Sequence, residues 1–451
     1  MQRLLNSWTK LTSTSVNRKI FGAAVVVAGL TAFVKVASVG KELVVAWRFG
    51  TGDAVDAFLI ALLVPAFVIN VVAGSFNAAL IPTYIQVREQ QGKQAAQQLF
   101  SGTMIWSFGL LGITTLLMVV TAPIYLPWIA AGFDPEKLRL TFHLLWAIAP
   151  IVLFSSVVAI WGAVLNAGER FALAALAPIA TPAITIVFLF IKPWGIFALA
   201  AGLVAGTVIE IVLLGLTLRK QGIFLLPKWY GINPPMRQVA HQCVPALIGA
   251  FIMCSATLVD QAMAAMLAPG SVASLNYGNR VIAFPITLAT TALSTAVIPY
   301  FSKMVACNEW AGVRRTLNRY MWLIFAVALP LTALLLLSSE LIVQILFQRG
   351  SFTSEDTQIV AQIQSLYALQ IPFYIADIFV VKLITSMRLN HILMWVSVFN
   401  LLINISLNYL FMQWIGVGGI ALSTSFVYLF SFLYLIFFAN KNLKIFAEQC
   451  N

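Results

Sequence analysis

The chain has 451 residues, of which 61% are hydrophobic and only 9% charged. Soluble domains carry about 25% charged residues, so a water-soluble globular protein is excluded and a bilayer is the expected solvent. The formal net charge of +12 therefore calls first for a topology count, and a nucleic-acid partner is not expected.

The first 20 residues are polar and basic, and the apolar run after them exceeds the core of a signal peptide, which predicts an uncleaved first span. Apolar segments long enough to cross a bilayer follow at 21–47, 57–81, 100–130, 140–165, 172–191 and 196–218. After a polar, basic linker they resume at 240–267, 273–300, 318–346, 358–386, 391–413 and 418–440. The expected fold is an all-α membrane protein of about 12 transmembrane helices: an N-terminal lobe over 1–218, a cytoplasmic linker over 219–239 and a C-terminal lobe over 240–451. Prolines at 65, 123, 150, 182, 285, 330 and 372 punctuate the spans, and such residues often mark bends around a central site. The short stretches 83–98 and 302–316 read as separate amphipathic helices on the cytoplasmic side.

The stretch from Phe33 to Phe58 carries charge where a span should hold only hydrocarbon: Lys35, Lys41 and Glu42, then a Gly50-Thr51-Gly52-Asp53 break and Asp56. Each such charge costs at least ~2.5–3.5 kcal/mol on insertion scales, so these residues usually face a bundle interior or a wet cavity. Helical spacing puts Lys35 and Glu42 on one face and Lys41 about 120° away, so Glu42 is expected to neutralise Lys35 in part and leave Lys41 as the freer cation. A polar cavity for a charged substrate is the functional reading; mutual pairing or snorkelling is the bland one.

Basic residues are distributed unevenly. Eighteen of the 27 fall in the termini and even-numbered loops, five in the opposite loops and four inside spans (Lys35, Lys41, Arg280 and Lys382). The bias puts both termini in the cytoplasm. An internal repeat is also legible. Residues 79–84 (ALIPTY) match 296–301 (AVIPYF) at an offset of 217, and 145–150 (LWAIAP) match 367–372 (YALQIP) at an offset of 222. Six spans per half is an even number, so the halves are parallel repeats about an axis along the membrane normal, with a substrate site between them.

Several stretches, in order along nearly the whole chain, carry a family resemblance: FGTGDAVDAFLIA (49–61), GAVLNAGERFALAALAP (162–178), PALIG (245–249), APGSVASLNYGNRVIAFP (268–285), IPYFSK (298–303) and FQRGSFTSEDT (347–357). The chain resembles the MurJ (MviN) branch of the multidrug/oligosaccharidyl-lipid/polysaccharide exporter superfamily. That resemblance implies two six-helix lobes around a central, basic-lined cavity, and outward movement of the undecaprenyl-diphosphate-linked peptidoglycan precursor by alternating access. It also implies substrate-binding roles for Lys35 and Lys41, at positions where the family usually has Arg, for the acidic Glu42 and Asp56, and for Arg280. A diphosphate calls for cationic partners in a partly dry site, and Lys supplies charge without the planar fork of Arg.

The sequence departs from the family after Pro65, where AFVINVVAGSF replaces a basic pair and a Glu, and at SMRLNH (386–391). Many members also carry two further spans, which are not found after Leu443. These departures leave open another lipid-linked surface glycan; a cation-coupled drug exporter, the rival from a different transport class, would need an aromatic, acidic cavity instead of a basic one.

Asn404 and Asn408 lie one turn apart on one face, a spacing suited to oxygen ligands for a small cation. The resemblance implies a sodium site of Asp260, Asn404, Asn408 and Thr424, with sodium or the membrane potential as coupling and no other cofactor; interhelical hydrogen bonding is the bland alternative. Asp377 and Lys382 read as a structural couple, Glu210 is a further intramembrane acid, and Tyr277 shares a face with Arg280. The three histidines (His143, His241, His391) are scattered at span edges, and no Walker loop, HExxH or GxSxG motif occurs. A non-enzymatic, monomeric transporter of the bacterial plasma (inner) membrane is therefore expected, with the bilayer and a lipid-linked glycan as partners. The four cysteines (Cys243, Cys254, Cys307, Cys450) have no metal or disulfide spacing.

Overall fold

The computed structural model describes residues 16–168, 171–231 and 233–449. The basic head 1–15, the Glu169-Arg170 pair, Ile232 and Cys450 lie outside the described residues. Every described element is helical, and each expected span falls on helix: Val16–Phe49, Asp53–Val68, Gly74–Ile129, Pro135–Ile148 with Pro150–Ala167, Phe171–Leu176 with Ala180–Leu189, and Phe197–Lys220. The series continues with Pro234–Ala264, Ser271–Ala306, Trp310–Leu337 with Ser339–Phe347, Ser354–Ala368 with Ile371–Ser386, Asn390–Ile415 and Val417–Gln449. Nine helical stretches among the described residues are long and apolar enough to cross a membrane, which makes the chain an all-helical, multi-pass membrane protein.

Local breaks follow from the backbone chemistry of proline and glycine. Pro65 lacks an N–H and crowds the preceding turn, and four residues later the helix widens into a π turn over Ile69–Ala73. The repeated LWAIAP and YALQIP segments are realised alike: the helix breaks at Ala149 before Pro150, and at Leu369-Gln370 before the helix carrying Pro372. The stretches 83–98 and 302–316 are not separate amphipathic helices. The first is split at Gly92, whose non-helical backbone (φ 86°, ψ 178°) ends one helix of the stretch Gly74–Ile129 and starts the next. The second is split between the end of Ser271–Ala306 and the start of Trp310–Leu337, around Asn308 at φ 56°.

Two compact units are interleaved along the sequence. One comprises the described residues before Val45, with Val64–Pro123 and Phe142–Ala250; the other comprises Val45–Leu63, Ile124–Thr141 and the chain from Phe251. In the first unit, small residues let helices approach closely: a Cβ added at Gly202 or Gly206 would lie 2.6 and 2.5 Å from the Cα atoms of Thr185 and Thr181. Such packing replaces the hydrophobic driving force that is missing between helices in lipid. In the second unit Tyr277 packs on Phe347 and Phe352 at ring-centroid distances of 5.3 and 5.7 Å, and its hydroxyl donates to the Gly50 carbonyl at 3.1 Å. Tyr277 is a packing residue.

Candidate functional site

In the first unit, Lys35, Lys41 and Glu42 all lie on the helix Val16–Phe49. Lys41 Nζ meets Glu42 Oε1 at 2.9 Å, with both side chains less than one-fifth exposed. Lys35 is exposed between the exposed Phe33 and Val36. The expected partial neutralisation of Lys35 by Glu42 is therefore corrected. Seven residues of helix separate them by about 10 Å of rise, too far for an ion pair, whereas neighbouring long side chains can fold toward each other. Lys41 is the paired cation and Lys35 the one that forms no ion pair among the described residues.

In the second unit, Asp56 is buried (1% exposed). Its Oδ2 accepts from Lys137 Nζ at 2.9 Å and from the Gly270 N–H at 2.7 Å, and its Oδ1 accepts from the Ala273 N–H at 2.8 Å. Lys137 Nζ also donates to Asp53 at 2.5 Å and lies 4.1 Å from the Phe133 ring centroid. Gly270 adopts φ 84°, and a Cβ there would lie 2.6 Å from the Thr51 carbonyl oxygen. Glycine is thus required where the start of the helix Ser271–Ala306 meets Asp56. The carboxylate takes up free N–H groups at that helix start, together with a lysine. Asp56, expected in an open substrate site, instead sits in a closed structural cluster, where both oxygens are engaged inside the protein. Asp53 is legible in the sequence only as part of the helix break, and nothing in the spacing of Lys137 points to Asp56, which it meets only in the fold.

Also in the second unit, the residues of the expected cation site converge. Asp260 Oδ1 accepts from Asn404 Nδ2 at 3.0 Å and from Asn408 Nδ2 at 2.7 Å, and Asn408 Nδ2 lies 3.3 Å from Asn404 Oδ1. Asn404 and Asn408 are fully buried, and among the described residues Asn408 Oδ1 has no hydrogen-bond partner. Thr424 Oγ1 donates to the Ile420 carbonyl at 3.1 Å and interacts with the Tyr367 hydroxyl. An orphaned buried amide oxygen beside a carboxylate offers oxygen ligands of the kind a hard cation takes. No cluster of three His, Cys, Asp or Glu occurs among the described residues.

Arg280 is exposed on the helix Ser271–Ala306. Asp377 does not couple to Lys382: its Oδ1 accepts from Ser431 Oγ at 2.6 Å, and Tyr374 and Tyr428 pack beside it with ring centroids 4.5 Å apart. Glu210 is buried in the helix Phe197–Lys220.

A family model described as "Lipid II flippase MurJ" matches residues 45–450. The chain belongs to the MurJ lipid II flippase family. It is 26% identical over 445 residues to the probable lipid II flippase MurJ of Synechocystis, covering 95% of this chain and 83% of the relative. It is 25% identical over 439 residues to that of Rickettsia prowazekii, covering 95% and 85%. The solved inward closed conformation of lipid II flippase MurJ shares its fold, with a TM-score of 0.79 at 22% identity, covering 94% of this chain and 90% of that one. An inward-facing multidrug resistance MATE transporter also shares the fold, with a TM-score of 0.76 at 11% identity, covering 94% and 99%. The MurJ family match takes in Asp56, Lys137, Asp260, Arg280, Asn404, Asn408 and Thr424. It begins after Lys35, Lys41 and Glu42.

Proposed function

We propose that this chain moves the undecaprenyl-diphosphate-linked peptidoglycan precursor, lipid II, from the cytoplasmic to the outer leaflet of the bacterial inner membrane by alternating access. The observation that carries the reading is the family match over residues 45–450. In this reading the chain is a monomeric transporter and not an enzyme. It has twelve spans in two parallel six-helix lobes, 1–218 and 240–451, around a central cavity, with a cytoplasmic linker at 219–239 and both termini in the cytoplasm. The charge bias of 18 to 5 across the two loop sets supports that orientation.

Lys35, Lys41 and Arg280 would meet the diphosphate, where charge-assisted bonds are strong. Glu42 would hold Lys41 in place through their 2.9 Å ion pair, and Asp56 would serve from behind by fixing the start of the helix that carries Arg280. Asp260, Asn404, Asn408 and Thr424 would hold a sodium ion, whose charge would offset the Asp260 carboxylate and favour one arrangement of the helices bearing it; the membrane potential is the other coupling source. A ligand shifts such an equilibrium only by its differential affinity for the two states.

The neutral AFVINVVAGSF segment, folded as a π turn at Ile69–Ala73, favours a second reading in the same mechanism: a different lipid-linked surface glycan. Cation-coupled drug export has fold likeness alone behind it. Complementation of a strain depleted of its own precursor flippase separates them. Rescue supports lipid II, and failure despite membrane expression favours the other glycan.

A further inference from the structure

Lys382 is the fourth basic residue inside a span, beside Lys35, Lys41 and Arg280. Its expected couple with Asp377 is not formed, because Asp377 Oδ1 takes the Ser431 hydroxyl at 2.6 Å. Among the described residues Lys382 makes no ion pair and no side-chain hydrogen bond. It is half-buried, four residues before the end of the helix Ile371–Ser386. An ionisable residue within a span marks a functional path unless it snorkels along the lipid surface to the interface.

Snorkelling needs a side chain that starts on a lipid-facing side, and this helix has none. No large apolar residue of Ile371–Ser386 is exposed. The helices Trp310–Leu337 and Asn390–Ile415, which pack on it, expose rows of them, such as Trp322, Val327 and Leu334 on one and Trp395, Leu402 and Tyr409 on the other. Those helices meet the hydrocarbon, so the accessible part of Lys382 opens onto the interior side of the second unit, where a charge can be hydrated or can meet a ligand. Two close approaches set its place relative to Arg280. A Cβ added at Gly278 would lie 2.6 Å from Ile363 Cγ2, and at the other end Ser302 Oγ lies 3.4 Å from Ser386 Oγ. The helix bearing Arg280 and the helices Ser354–Ala368 and Ile371–Ser386 thus run side by side in one direction. Lys382 lies roughly 25 Å of helix rise beyond Arg280, toward the Ser386 end.

We propose that Lys382 is a further substrate-contacting cation, whose ammonium receives the diphosphate of the lipid-linked substrate at the cytoplasmic end of the second unit before Arg280 takes it nearer the outer end. The proposal rests on the lipid-diphosphate substrate and the topology read above. Lysine suits a receiving step. Its compact charge on a flexible stem attracts a phosphate without fixing its orientation, so it releases the group more readily than a bidentate arginine does.

The test is retention of undecaprenyl diphosphate by the purified full-length chain, read by native mass spectrometry beside undecaprenol and phosphatidylglycerol. Lys382→Met keeps most of the stem and is expected to weaken retention of the diphosphate roughly tenfold or more, through loss of one charge-assisted bond. Lys382→Arg restores the charge and is expected to stay within about threefold of wild type. Undecaprenol has the tail without the charge, and its retention is expected to be equal in all three. Lys382→Gln decides the matter if the methionine variant is not recovered folded. Absence of diphosphate retention by wild type, or unaltered retention in the neutral variants, would overturn the proposal. So would an equal loss in Lys303→Ala, which removes a charge from the exposed end of the neighbouring helix. An equal loss of phosphatidylglycerol would overturn it by making Lys382 a general lipid contact, and a lower melting midpoint with retention unchanged would make it a structural residue. The probe carries no glycan, so this test fails separately from the lipid II reading, which complementation decides.

Discussion

Replacing Lys137 by Met tests the physical reading of the Asp56 cluster. The Lys137 side chain is 7% exposed, and its ammonium sits between Asp56, with a side chain 1% exposed, and Asp53, 56% exposed. Methionine preserves most of the stem but removes the charge, leaving the Asp56 carboxylate with only the Gly270 and Ala273 N–H groups. Removing one partner of a buried ion pair typically costs ~3–5 kcal/mol. The two backbone bonds that remain still favour the anion, so the low end, about 3 kcal/mol, is expected. The exposed Asp53 branch adds ~0–1 kcal/mol, and loss of the cation over Phe133 about 0.5–1 kcal/mol. Asp56→Asn added to Lys137→Met removes the stranded charge, so the two changes should couple by on the order of 2 kcal/mol in a double-mutant cycle. Reversible unfolding in mixed micelles measures both quantities. A cost below about 1 kcal/mol for Lys137→Met, or strict additivity in the cycle, would refute the buried-pair account and return Asp56 to the list of cavity residues.

Further expectations concern transport and topology. Arg280→Ala should lower flipping at least tenfold while insertion and folding persist, since a charge-assisted bond to the diphosphate is worth roughly 1.5–3 kcal/mol; wild-type flipping would remove Arg280 from the site. Lys35→Ala and Lys41→Ala should both impair transport and the Lys→Arg changes should preserve it, whereas equal, mild losses in one assay would make both lysines snorkelling residues. Because Glu42 holds Lys41, Glu42→Gln should impair transport in the same direction as Lys41→Ala and leave the effect of Lys35→Ala additive. Asp260→Asn should weaken sodium dependence more than lipid binding; normal, sodium-independent transport by the variant would leave Asp260 as interhelical glue. Cys307 is exposed in the turn before Trp310, so with Cys450 replaced by Ser an impermeant maleimide should label it in inverted vesicles and not in intact cells.

What could be read from the sequence was local or periodic. Apolar runs placed the helices, proline placed the breaks at Ala149 and Leu369, and an i, i+4 spacing put Asn404 and Asn408 on one face, while only the family resemblance joined them to Asp260. The rest depended on partners that leave no pattern. Asp56 is satisfied by backbone N–H groups more than 200 residues away, and any residue type can offer those. The Lys41–Glu42 pair joins adjacent positions, which face arguments built on i, i+4 neighbours set apart. Asp377 found Ser431, 54 residues distant, where a lysine nearer in sequence was the obvious candidate. Thr353 and Asp356 form a capping box within FTSEDT, and Asp356 also takes the Thr51 hydroxyl; only the first of these contacts has a sequence signature.

The central claim is that lipid II changes leaflet through this chain. In cells whose only flippase is this protein, the fraction of lipid II accessible to an externally added lipid II-cleaving enzyme measures it directly. The account predicts a wild-type fraction that collapses in the Arg280→Ala variant at equal membrane abundance. An outer-leaflet fraction no higher than in flippase-depleted cells would contradict it.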